Sequence, residues 1–152
     1  MKPFRYRLES VLTVRTRDED QAREAYAQAL QARARAETAI HQERATLEAY
    51  HATLRGSREG VSNRQYQLVY LSALQQQQAL CERCAAELAM VEKTVAVRRE
   101  AMLDARRRRE ALTRLKEKQQ AAWKAEEARV EESMIGDLIT ARYGLGVREV
   151  GA

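Results

Sequence analysis

Glycine and proline are scarce in this 152-residue chain, which has six of the first and one of the second. Val61 to Ile135 contains neither over 75 residues, and Phe4 to Arg55 is a second such run of 52. These residues interrupt helices most strongly, so runs this long are rare outside continuous helix. Aromatics make up 5% of the chain, with one phenylalanine and one tryptophan, against 32% charged residues. That is poor material for a compact globular core, but it suits a two-helix rod in which each residue meets one neighbouring helix. No run of about 18 apolar residues occurs, which excludes a transmembrane helix. The opening Met1-Lys2-Pro3-Phe4-Arg5 lacks the apolar core of a secretory signal, so a cytoplasmic location is expected. No Gly-rich phosphate loop and no Gly-Lys-Ser/Thr is present, and nothing marks the chain as a nucleotide hydrolase. The two histidines, His41 and His51, lie ten apart on one helix, which is not metal-ligand spacing on one face; exposed positions are expected. No enzyme activity, metal or cofactor is expected.

What is present is a 3.5-residue repeat. One row is Tyr70, Gln77, Cys84, Val91, Arg98, Ala105, Leu112, Gln119 and Glu126; the other is Leu74, Cys81, Leu88, Val95, Met102, Arg109, Lys116, Trp123 and Val130. Twelve of these 18 are apolar, more than an overall 45% apolar content predicts, so the rows form a seam that buries against another helix. The earlier run keeps helical spacing through Leu8, Leu12, Ala22, Tyr26, Ala29, Ala36, Ile40, Leu47, Tyr50 and Leu54. Arg15, Glu19, Arg33 and Glu43 interrupt it. Its middle is rich in alanine (Ala22, Ala25, Ala29, Ala32, Ala36, Ala39), which favours helix and lets two helices approach closely while burying little area per layer.

These features predict an all-α fold, a long antiparallel two-helix coiled coil, as one domain over residues 1–143. The first helix spans about 4–55, with Pro3 at its first turn. The turn spans 56–61, where Gly56 takes the left-handed conformation that ends a helix. The second helix spans about 62–143, opened by a Ser62/Gln65 capping box and a Val61/Tyr66 staple. Gly136 is a site for a kink or fraying, Gly144 and Gly146 end the helix, and 144–152 is a flexible tail. A short connection makes the helices antiparallel neighbours, with paired residue numbers totalling about 118. Tyr50 then lies near Leu68, Leu47 near Leu71, Ile40 near Gln78, Ala22 near Ala96 and Phe4 near Arg114. The first helix runs out opposite residue 114, and the C-terminal helix overhangs. The overhang carries Trp123, Val130, Met134, Ile135, Leu138 and Ile139, an apolar stripe that needs a partner outside the chain.

The net charge is +5, from 27 basic and 22 acidic residues, mostly interspersed. The one dense run, Arg106 to Arg109, reads first as a solvated helix face and second as a docking surface for an acidic protein. No aromatic residues interleave with it for base stacking, so nucleic acid is not an expected partner. Cys81-Glu82-Arg83-Cys84 is a Cys-x-x-Cys without the strand before it that a redox enzyme has, or the further ligands that structural zinc needs. Buried reduced thiols facing the small residues around Ala36 are expected; a zinc shared between two chains is the alternative.

Three stretches together resemble the flagellar export protein FliJ family over nearly the whole chain. Lys2-Pro3-Phe4-Arg5-Tyr6-Arg7-Leu8-Glu9-Ser10-Val11-Leu12 resembles the family's opening aromatic-basic-x-basic-Leu-Glu-x-Val-Leu pattern. Tyr66-x3-Tyr70-Leu71-x2-Leu74 resembles the helix after its turn, and Leu112-x2-Leu115-Lys116-Glu117-Lys118 through Arg129-x-Glu131 its closing segment. Ile135-Gly136-Asp137-Leu138 and the Cys-x-x-Cys depart from the pattern.

The resemblance implies a non-enzymatic component of the flagellar type III export apparatus. Its coiled-coil stalk enters the ring of the export ATPase hexamer, promotes ring assembly, contacts the cytoplasmic ring of the export gate and escorts export chaperones. It implies a cytoplasmic protein at the flagellar base, peripheral to the inner membrane through its partners and tied to motility and chemotaxis. Gate binding would fall on Tyr50, Tyr70, Leu71 and Leu74, whose other reading is a staple of the hairpin end. ATPase binding would fall on Phe4, Leu8, Leu12, Trp123, Arg129 and Val130. The alternatives are the equivalent stalk of an injectisome, a nucleic-acid-associated coiled coil, and a homodimeric structural filament.

Overall fold

The protein is described here by a computed structural model. It covers the backbone of residues 3–57 and 64–149, and side chains of 3–56 and 64–143. The fold is an all-α helical hairpin: α1 is Glu9–Ser57 and α2 is Arg64–Glu149, with no strand among the described residues. Both helices run through two compact units, Asp18–Ala105 and a second made of Met1–Arg17 with Arg106–Ala152.

In the Asp18–Ala105 unit the helices pair antiparallel. Gln77 of α2 donates through Nε2 to the Glu43 carbonyl at 3.0 Å and to the Glu43 carboxylate at 2.5 Å. The numbers 43 and 77 total 120, two more than the sequence predicts. This register brings Tyr50 level with Tyr70 rather than with Leu68. The expected seam rows of α2 turn inward here, Tyr70, Leu74, Cys81, Cys84, Leu88, Val91 and Val95 all being half-buried. Arg98 is the exception and is exposed. Against them lie Ala29 and Ile40, at 8% and 4% exposure, with Ala22, Ala25, Ala32, Ala36 and Ala39 half-buried around them. Among the described residues no large side chain is sealed completely, because each helix has one neighbour to bury against.

In the other unit the chain enters differently from the prediction. Residues 3–6 are not helical and 7–8 form a turn, so α1 starts at Glu9 rather than near Phe4. The Glu9 amide donates to the Tyr6 carbonyl at 3.3 Å, and an acidic residue in the first turn suits the helix dipole. Phe4 and Tyr6 explain the departure. An extended chain places residues two apart on one side, whereas a helix would turn them away from each other. Phe4 is half-buried and Tyr6 buried, while Arg5 and Arg7 are exposed. The Tyr6 hydroxyl donates to the Leu112 carbonyl at 3.0 Å, and those numbers total 118, as expected. Phe4 does not reach Arg114: its ring stands 6.1 Å from that of Trp123, about 13 Å further along α2 at ~1.5 Å per residue. An extended segment covers about 3.3 Å per residue, roughly twice the helical rise, and so reaches further.

The glycines behave differently from the prediction. Gly56 lies inside α1, and α2 continues through Gly136, Gly144 and Gly146 to Glu149; no described glycine has positive φ. A glycine costs a helix about 1 kcal/mol but blocks no backbone hydrogen bond, so favourable neighbours carry the helix through. Val61, Ser62 and Gly60, which carry the expected cap, staple and turn, lie outside the described residues, as does the tail beyond Glu149.

Candidate partner-docking surfaces

The first candidate surface lies in the Asp18–Ala105 unit. Tyr50, Tyr70 and Leu74 are half-buried, and Leu71 is 46% exposed. The register sets Tyr50 level with Tyr70, so the four residues share one stretch of the hairpin. Beside them Tyr66, Leu68 and Val69 are 62–67% exposed, which widens the apolar surface well beyond the residues the resemblance singles out.

The second lies in the other unit. Lys116 joins Glu9 at 2.7 Å and stands 5.9 Å above the Tyr6 ring, so the N-terminal segment is fixed to α2 at Tyr6 and Glu9. Beyond that anchor Pro3, Phe4, Arg5 and Trp123 line a surface groove. Leu8 is 37% exposed, and Leu12 and Val130 are half-buried. Arg129 points into solvent with a loose 3.6 Å contact to Glu126 on its own helix. The predicted overhang therefore starts later than expected. Phe4 already covers Trp123, and the bare stretch is 131–143, exposed at every position. Within it Met134, Ile135, Leu138 and Ile139 are 53–70% exposed. Their spacing puts them on one side of the helix. Gln119 and Glu126 of the expected seam are exposed, while Trp123, Glu127 and Val130 turn inward. A straight α-helix drifts from a strict seven-residue repeat by about 20° per heptad, which carries one row off the inner face.

No described helix is long and apolar enough to cross a membrane. A model of the flagellar FliJ protein family matches residues 4–144. The chain belongs to the flagellar FliJ family. FliJ proteins are non-catalytic components of the flagellar type III export machinery. No curated protein and no solved structure matches this FliJ chain.

In this FliJ chain Arg106, Arg107 and Arg108 are exposed and Arg109 is half-buried. Arg106 donates to Glu110 at 2.7 Å, and this bond, with the charges of Arg106, Arg109 and Arg114, holds the Glu110 carboxyl below its ordinary value. Cys81 and Cys84 are free and half-buried rather than buried, and no described group of three or more His, Cys, Asp or Glu could hold a metal. His41 is exposed as expected, but His51 is half-buried.

Two polar residues matter more than sequence reasoning assigned them. By spacing alone Gln77 is a plain member of the seam row, and Glu43 an interruption of the α1 pattern. Each is the other's partner. The signal was their common total near the hairpin register, but the expected register was two residues off.

Proposed function

We propose that this chain is a coiled-coil stalk of the flagellar export apparatus, which docks into the ring of the export ATPase hexamer and links it to the export gate and to substrate chaperones. The observation that carries this reading is the exposed apolar face of Met134, Ile135, Leu138 and Ile139, in the stretch 131–143 that is exposed at every position. Contiguous exposed apolar surface of this kind marks a partner interface. On this reading Phe4, Leu8, Leu12, Trp123, Arg129 and Val130 continue the ATPase-facing surface. Tyr50, Tyr70, Leu71 and Leu74 face the gate, supported by the register that sets the two tyrosines level. The chain acts in the cytoplasm and meets the membrane only through its partners.

The test is the double substitution Leu138→Gln with Ile139→Gln. Glutamine keeps helix propensity and both sites are exposed, so melting should move by less than about 0.5 kcal/mol. Binding to the purified export ATPase should weaken at least about tenfold, since each large apolar side chain is worth about 1.5–3 kcal/mol when fully covered. Equal recovery of the ATPase with both chains would refute the reading.

A further inference from the structure

We infer that Gln77 is the positioning residue that sets the register of the hairpin, and that through the register it assembles the Tyr50–Tyr70 surface. Gln77 is 8% exposed, and its amide nitrogen donates twice to one residue of the opposing helix, to the backbone carbonyl and the carboxylate of Glu43. The rows of small and aliphatic residues beside it do not by themselves distinguish one register from another; Glu19, at 4% exposure, is the other buried polar side chain of this unit among the described residues. On α1, Ala22, Ala29 and Ala36 recur at seven-residue steps, and on α2 the half-buried row Leu74, Cys81, Leu88, Val95 does the same. A slip of one heptad therefore still sets alanine and aliphatic side chains against each other. Gln77 breaks that degeneracy. After such a slip it would face the level of Tyr50 or Ala36 in place of Glu43, and its buried amide would lose both acceptors. Leaving a buried donor unsatisfied costs more than the hydrogen bond is worth when made, which is how a single polar seam residue selects a register.

The consequence for docking is geometric. One heptad moves Tyr50 about 10 Å from the level of Tyr70 at ~1.5 Å per residue, more than one helical turn. This part of the inference rests on the proposed gate-binding role of those tyrosines; the register itself does not.

The experiment uses the full chain carrying Cys81→Ser and Cys84→Ser. One reporter pair is Leu47→Cys with Ala73→Cys, level in the observed register; the other is Leu47→Cys with Leu80→Cys, level only after a one-heptad slip. With Gln77 present, oxidation by copper phenanthroline should cross-link the first pair alone. With Gln77→Leu both pairs should cross-link, while melting temperature stays the same or rises, because leucine packs where an amide had to be satisfied. Glu43→Gln keeps a side-chain acceptor and the backbone carbonyl, and should retain the single-register pattern. Binding of the purified cytoplasmic ring of the export gate should weaken about fivefold or more for Gln77→Leu, in proportion to the lost population of the competent register. If Gln77→Leu cross-links the first pair only, the inference is overturned. If the cross-linking changes but even the unsubstituted chain fails to bind the gate ring, the register role stands and the docking assignment falls.

Discussion

Replacing Phe4 by alanine should release the N-terminal segment from α2 without melting either helix. The size of the effect follows from the contact. The Phe4 and Trp123 rings are tilted by 50° with centroids 6.1 Å apart, a geometry worth about 0.5–1.5 kcal/mol beyond area burial. Phe4 is half-buried, so it also forfeits about half of the roughly 1.5–3 kcal/mol that full burial of such a side chain contributes. Together these give about 1.3–3 kcal/mol, or roughly an 8- to 140-fold shift in the local opening equilibrium. Residues 3–6 are not helical, so far-UV circular dichroism should be unchanged. Trp123 is the only tryptophan in the chain, which makes its fluorescence a direct reporter of the contact. Its emission should shift to the red and acrylamide should quench it more strongly in Phe4→Ala. Tyr6→Phe, which removes only the hydroxyl bond to Leu112, should move both readings less. Identical emission and quenching in wild type and Phe4→Ala would show that the rings do not cover each other, and the account of the extended segment would be wrong.

Two further outcomes follow from burial and charge. Ile40→Ala should cost about 2 kcal/mol in denaturant melting, the low end for such a truncation because a two-helix layer relaxes easily, whereas Val97→Ala at 66% exposure should stay within about 0.5 kcal/mol. Glu110 has a lowered carboxyl pKa, so the stability linked to it is present above the ordinary value of 4.5 and lost as the pH falls through the lower folded value. Following its titration by NMR in Arg106→Gln should show it moving up towards the ordinary value, since the Arg106 bond is the largest cause.

The two helices and their antiparallel pairing were legible because long stretches free of glycine and proline, together with a 3.5-residue row, leave few other folds. The register was legible to within two residues from the shortness of the connection, and the remaining difference was not, because it shows only in the Gln77–Glu43 pair. What escaped was set by competition between local rules. Phe4, Tyr6 and Leu8 alternate with Arg5 and Arg7, a two-residue period that favours extended chain, but it lies next to a strong helical pattern that masks it. Gly144 and Gly146 read as stops because glycine weakens helices, yet its cost is energetic and small. The exposed stripe at Met134, Ile135, Leu138 and Ile139 was visible from spacing alone. The cover over Trp123 was not, because it depends on the reach of six non-helical residues.

That short non-helical lead has different mechanical rules from the rest of the chain. Within α1 or α2, inserting one residue rotates everything beyond it by about 100° and turns the seam to solvent. Between Pro3 and Leu8 an inserted residue turns no helix face and disturbs only the contacts that Phe4 and Tyr6 make with α2. The molecule thus joins a part in which one added residue is felt along the whole helix to a part in which it is felt locally, and the boundary between them is the first turn of α1, at Glu9.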